Sequence, residues 1–136
     1  MEITVRHLNK VQFEIESRSH RIVCDQPEDN GGNDTGMTPP ELMLASLGSC
    51  AAFYAAQYLH ARGLDEHSVT VSVTAEKLRQ PARLGNFKVN VRCALDLTPE
   101  QQQGMTRSVH LCLIHNTLLN PPSISIELEL EQPAKA

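Results

Sequence analysis

The sequence predicts one α+β domain. Three observations lead there: alternating apolar and polar runs at both ends of the chain, one long and almost wholly apolar helical stretch between them, and the absence of any internal repeat or linker. The 136 residues are one domain's length and enough to bury a core.

Taken in order, residues 1–7 (MEITVRH) and 10–16 (KVQFEIE) alternate and predict a hairpin, and 21–25 (RIVCD) a third short strand. Residues 26–38 (QPEDNGGNDTGMT) are dense in Gly, Asp, Asn and Pro and predict a loop. Thr38 is the expected N-cap of the helix that follows. Pro39 stands at its first position and Glu41 completes a capping box. The helix is expected over 38–62, ending at Gly63. Leu42, Leu44, Leu47, Ala51, Ala55 and Leu59 leave it no polar face, so it is expected to be buried on nearly all sides. Gly48, Ser49, Ala51 and Ala52 are small enough for another backbone to approach.

Residues 67–78 (HSVTVSVTAEKL) and 86–97 (NFKVNVRCALDL) alternate and predict a second hairpin across RQPARLG. Thr98-Pro99-Glu100 opens a second helical region over 99–119, with a break near Cys112. Asn120-Pro121-Pro122 ends it, and 123–131 (SISIELELE) is the expected last strand.

Composition narrows the function classes. The formal charge is −4 and the twelve basic residues are scattered, so the clustered Lys and Arg that grip phosphate are missing and no nucleic-acid partner is expected. The charged, alternating N-terminus does not read as a signal peptide. The longest uncharged apolar run, 42–56, is shorter than the roughly twenty residues that span a bilayer. No membrane association and a cytoplasmic location are the expectations. Five aromatics and no Trp leave a thin core that burial between subunits would complete.

Four cysteines remain: Cys24, Cys50, Cys93 and Cys112. No pair has CxxC spacing, so no zinc knuckle or thioredoxin-like motif is present, and neither metal nor cofactor is expected. Cys24 and Cys93 lie in strand patterns and read as small core hydrophobes. Cys50 and Cys112 fall on helices among short side chains, and Cys50 reads equally as core filler or as a reactive thiol. A reactive thiol needs a neighbouring positive charge, helix N-terminus or hydrogen-bond donor to lower its pKa from ~8.5. Cys112 stands near a helix start, three residues before His115.

The run GGNDTGMTPPELMLASLGSC, the long helix, the hairpin and CLIHNTL before a final strand together resemble the OsmC family, which includes the organic hydroperoxide resistance proteins. The resemblance covers nearly the whole chain. It implies an antiparallel α+β fold wrapped around a long central helix, in an intertwined homodimer with sites at the subunit interface. It implies Cys50 as peroxidatic cysteine and Cys112 as the resolving one, closing an intramolecular disulfide that a dithiol reductant, such as a lipoylated protein, reopens. The cation beside the thiolate would be Arg18 or Arg21. The family's Glu, ten residues before the first cysteine, falls here on Pro40, with Glu41 next to it, and Leu113 stands where the second motif usually has Pro. The expected function is thiol-dependent reduction of a small-molecule hydroperoxide. The alternative is a non-catalytic dimer of this fold that binds a small apolar ligand or acts in a stress response without peroxidase activity.

Overall fold

The computed structural model describes residues 1–134. Its first part is an antiparallel meander of β1 (Thr4–Asn9), β2 (Gln12–Ser17) and β3 (His20–Cys24). Val5 pairs with Ile15 and Ile15 with Ile22, so apolar side chains line up across one face. The turns pass through left-handed residues, Lys10 (φ 49°) and Arg18 (φ 55°). The first strand therefore runs two residues beyond the expected end, to Asn9.

A loop then returns alongside β3, where Cys24 bridges Met37 in parallel. It delivers the chain to α1 (Pro39–His60). The capping box forms as expected: the Glu41 N–H donates to Thr38 Oγ1 (3.4 Å) and the Thr38 N–H to Glu41 Oε2 (3.2 Å). A short 3-10 turn leads into the hairpin of β4 (Val69–Leu78) and β5 (Arg83–Cys93), with Val71 opposite Val91 and Val73 opposite Val89. Thr98 and Gln101 cap α2 (Pro99–Val109), and α3 (Leu113–Leu119) follows after the expected break.

All three helices and the β4–β5 hairpin form one body, with α1 packed on β4, β5, α2 and α3. Its core is small. Tyr58, Leu59 and Leu97 are buried, with Leu64, Val69, Cys93, Leu95 and Met105 packed around them. Folded, α1 spans 22 residues and is long and apolar enough to cross a membrane by length and composition. The expectation drawn from the uncharged run 42–56 therefore undercounts it. It is not buried all round either: Met43, Ser46, Ser49, Phe53 and His60 are exposed, Phe53 by 58%.

The final strand is the main departure. Residues 121–134 carry no secondary structure and all are exposed, Ile126 by 94%. The alternation is there, but among the described residues of one chain it pairs with no strand. The β1–β3 sheet is in a similar position, with β1 exposed along its whole length. Large apolar residues on these segments, Val5 and Ile22 as well as Ile124, Leu128 and Leu130, are left to solvent.

Candidate active site

Capping starts α1 at Pro39 and so places Cys50 in the middle of that helix. Cys112 arrives from the other side. After α2 the chain tightens, with the Leu111 N–H donating to Ser108 O (3.0 Å) and the Cys112 N–H to Val109 O (3.1 Å). Cys112 then becomes the N-cap of α3, its Sγ accepting from the His115 N–H (3.4 Å). The two thiols are neighbours, near enough for each to shift the ionisation of the other. Both are free.

Their surroundings treat them differently. Cys112 is 0% exposed. Burial pushes its pKa up, and the neighbouring Cys50 adds to the rise. Burial also pushes the half-buried Cys50 up, but the Cys112 thiol and the backbone N–H groups of Ile114 and Leu113 outweigh it, and the net shift is downward. At a helix start these N–H groups have no intrahelical acceptor. They are the donors that the sequence did not reveal, and Leu113 supplies one that a proline at this position would lack. Of the pair, Cys50 is the one whose surroundings favour the thiolate, and Cys112 the one whose surroundings favour the thiol.

The other expected site residues lie elsewhere. Glu41 is held in the capping box with Thr38. Arg21 meets Glu16 (3.4 Å) on the outer sheet, and Arg18 occupies the β2–β3 turn. Among the described residues no charged side chain acts on Cys50. Within one chain the structure joins Cys50 to Cys112 and leaves Arg18, Arg21 and Glu41 apart from them. Of the remaining cysteines, Cys24 is buried as expected, while Cys93 is half-buried beside Ser68 Oγ (3.4 Å). No group of three or more His, Cys, Asp or Glu among the described residues is arranged to hold a metal ion.

Beside the pair, a cavity of about 340 Å³ opens between α1, β5 and α2. Leu47, Val89, Val91 and Met105 make it largely apolar; His110, His115 and Cys112 complete the wall. The two imidazole rings are 5.4 Å apart.

One structural residue was missed in the sequence. Asp25, 1% exposed, is the hub of the glycine-rich loop. Its carboxylate accepts from Thr35 Oγ1 (2.6 Å) and from the N–H groups of Gln26 (2.8 Å), Thr35 (3.1 Å) and Asn33 (3.2 Å). The Thr35 hydroxyl leads in holding its pKa down, at about 2, against burial. The two loop glycines serve close approach: a Cβ at Gly32 would strike the Gln26 carbonyl, and one at Gly36 the Val23 carbonyl. An acid at a strand end ahead of a Gly-rich loop is the signal available for such a hub.

The OsmC-like protein family profile matches residues 31–127, from the second half of that loop to beyond α3. The chain belongs to the OsmC family. Solved OsmC-type structures agree with this fold. A proposed osmotic-stress-induced and detoxification-response protein from Psychrobacter arcticus 273-4 superposes with a TM-score of 0.76 at 19% identity, covering 85% of each chain. An OsmC-like protein from Mycoplasma pneumoniae gives 0.75 at 17% identity, covering 88% of this chain and 87% of its own. An organic hydroperoxide resistance protein OsmC from Legionella pneumophila gives 0.59 at 14% identity, with 87% and 89% covered. No curated protein matches the chain. The loop glycines Gly31, Gly32 and Gly36 and both Cys50 and Cys112 of this OsmC chain fall inside the matched region.

Proposed function

We propose that the chain is a thiol-dependent hydroperoxide reductase that works as a homodimer. The observation that carries this reading is the pairing of two adjacent thiols in unequal surroundings, Cys112 fully buried and Cys50 partly exposed beside the backbone N–H groups of Leu113 and Ile114. Cys50, pKa lowered, attacks the O–O bond, becoming a sulfenic acid and releasing an alcohol once the alkoxide takes a proton. The Cys112 thiol then condenses with that sulfenic acid, expelling water and closing the disulfide before further oxidation. An external dithiol returns two electrons and reopens it. Membership of the OsmC family, and the Legionella pneumophila relative named for organic hydroperoxide resistance, support hydroperoxide as the substrate class.

The homodimer rests on what one chain leaves uncovered. The segment 123–131, both faces of β1 and the Met43–Phe53 side of α1 are exposed, and a second copy offers free sheet edges and a matching helix face. In that assembly the long helices meet at the centre, and Arg18 or Arg21 of the second copy stands beside Cys50. We place the protein in the cytoplasm, where dithiol reductants keep such a pair cycling.

A second reading has its own observation. The apolar cavity and the absence, among the described residues, of any charge acting on Cys50 also suit a non-catalytic dimer that binds a small apolar ligand. Turnover of an organic hydroperoxide with a dithiol separates the two. The first reading expects Cys50→Ser to abolish turnover. Undiminished turnover in that variant, or none in the wild type, overturns it.

A further inference from the structure

Away from the cysteines, the C-terminal end of α1 and the second half of α2 form a groove of about 620 Å³. Arg62 and Arg107 both line it, together with Gln57, Tyr58, Gly104 and Ser108. Among the described residues no Asp or Glu stands in its wall, and the ion pairs of the chain use Arg6, Arg21 and His60 instead. In a chain of net charge −4, two guanidinium groups therefore share one space without a carboxylate partner.

Tyr58 makes the groove more than two charged side chains. Its ring is buried, 8% exposed, and the Arg62 guanidinium carbon stacks over it, 3.6 Å from the centroid. Arg62 Nη1 also donates to the Tyr58 carbonyl (3.1 Å). Ring and carbonyl together hold this cation in place before any ligand arrives. The Tyr58 hydroxyl is different, because it has no hydrogen-bond partner among the described residues. A buried tyrosine usually finds one. No fully buried side-chain oxygen is left unpaired, so this hydroxyl is open to solvent. It lies against Gly104 in the same wall, where a Cβ would strike it.

We propose that this groove binds a phosphate group, free or carried on a small molecule. The site stands independently of the redox reading above. Guanidinium forks take phosphate oxygens in pairs, and two of them match a dianion. The Tyr58 hydroxyl supplies a neutral donor for a further oxygen. Helix dipoles favour a cation near the C-terminal ends of α1 and α2. They give no reason for both cations to share one groove, or for the unpartnered hydroxyl between the helices. At about 620 Å³ the space lies within the roughly 300–1,000 Å³ of small-molecule sites, with room for the body of a phosphate ester.

The test is equilibrium dialysis of the full chain against radiolabelled inorganic phosphate, at constant ionic strength and pH 8, where histidines are neutral. Saturable retention of one phosphate per chain is expected. Arg107→Gln, at an exposed position, should weaken it at least tenfold. Tyr58→Phe, which keeps the ring and removes the hydroxyl, should weaken it at least threefold. Arg79→Gln, which removes an equal charge outside the groove, should leave it unchanged. Unlabelled phenyl phosphate and unlabelled phosphate then compete. Displacement at lower concentration by the ester supports an organic phosphate as the ligand, and the reverse order supports free phosphate. Retention that does not saturate, that persists undiminished in Arg107→Gln or Tyr58→Phe, or that falls equally in Arg79→Gln overturns the inference.

Discussion

Cys50 and Cys112 lie side by side from different kinds of helix position, one in the middle of α1 and the other at the N-cap of α3. The helix start that Cys112 caps turns its free N–H groups on Cys50. One residue thus buries as a thiol while its neighbour gains the donors that favour a thiolate.

This asymmetry predicts selective alkylation. Iodoacetamide should label Cys50 first, and labelling should persist below the pH at which an ordinary thiol stops reacting, because the thiolate is the nucleophile. Cys112, raised by burial and by Cys50, should lag at every pH. Mass mapping of labelled peptides across a pH series checks both orders.

Leu113 gives a sharper test. It is exposed, sits at the first position of α3, and follows Cys112 at φ −53°, ψ 123°. That backbone is one a residue before proline adopts readily, and proline is favoured at a first helical position. Leu113→Pro should therefore fold normally while losing one donor to Cys50. The alkylation profile of Cys50 should move to higher pH, and Leu113→Ala should leave it in place.

Asp25 predicts an acid limit to stability. Its folded pKa, about 2, lies below the ordinary aspartate value of 3.8, so the unfolded chain binds the proton more readily. The stabilisation is complete above pH ~4 and is lost as pH falls toward ~2. Asp25→Asn should melt lower at neutral pH and lose less on acidification. Thermal melts from pH 7 to 2 on both proteins decide this.

The exposed tail predicts an assembly. Deleting residues 123–136, or replacing Ile126 and Leu128 with Glu, should convert a dimer to monomer in sedimentation velocity. Burying one such side chain is worth ~1.5–3 kcal/mol, and each change occurs twice in a symmetric pair, so dimer affinity should fall at least ~100-fold. A wild-type monomer at micromolar concentration would contradict the proposal.

Much of this was legible in the residues because local chemistry decides it. Thr38 and Glu41, and Thr98 and Pro99, fixed two helix starts through caps that need no tertiary partner. Alternation placed β4 and β5, whose inward Val residues meet α1. Residues 123–131 alternate equally well yet form no strand, since a strand also needs an edge to pair with. At the site, residue types pointed to Cys50 and Cys112. The donors on Cys50 are backbone groups of Leu113 and Ile114, and side-chain identity carries no trace of them. Asp25 escaped for a related reason, because its partners lie in a loop whose path no periodicity describes.

The central claim is that Cys50 and Cys112 form one redox couple. Its most direct test is peptide mapping of the wild-type protein after one equivalent of an organic hydroperoxide, digested without reduction. The account predicts a Cys50–Cys112 cross-linked peptide, two thiols lost per chain, and Cys24 and Cys93 still free. Four free thiols after exposure, or Cys50 carried to the sulfinic acid with Cys112 unchanged, would contradict it.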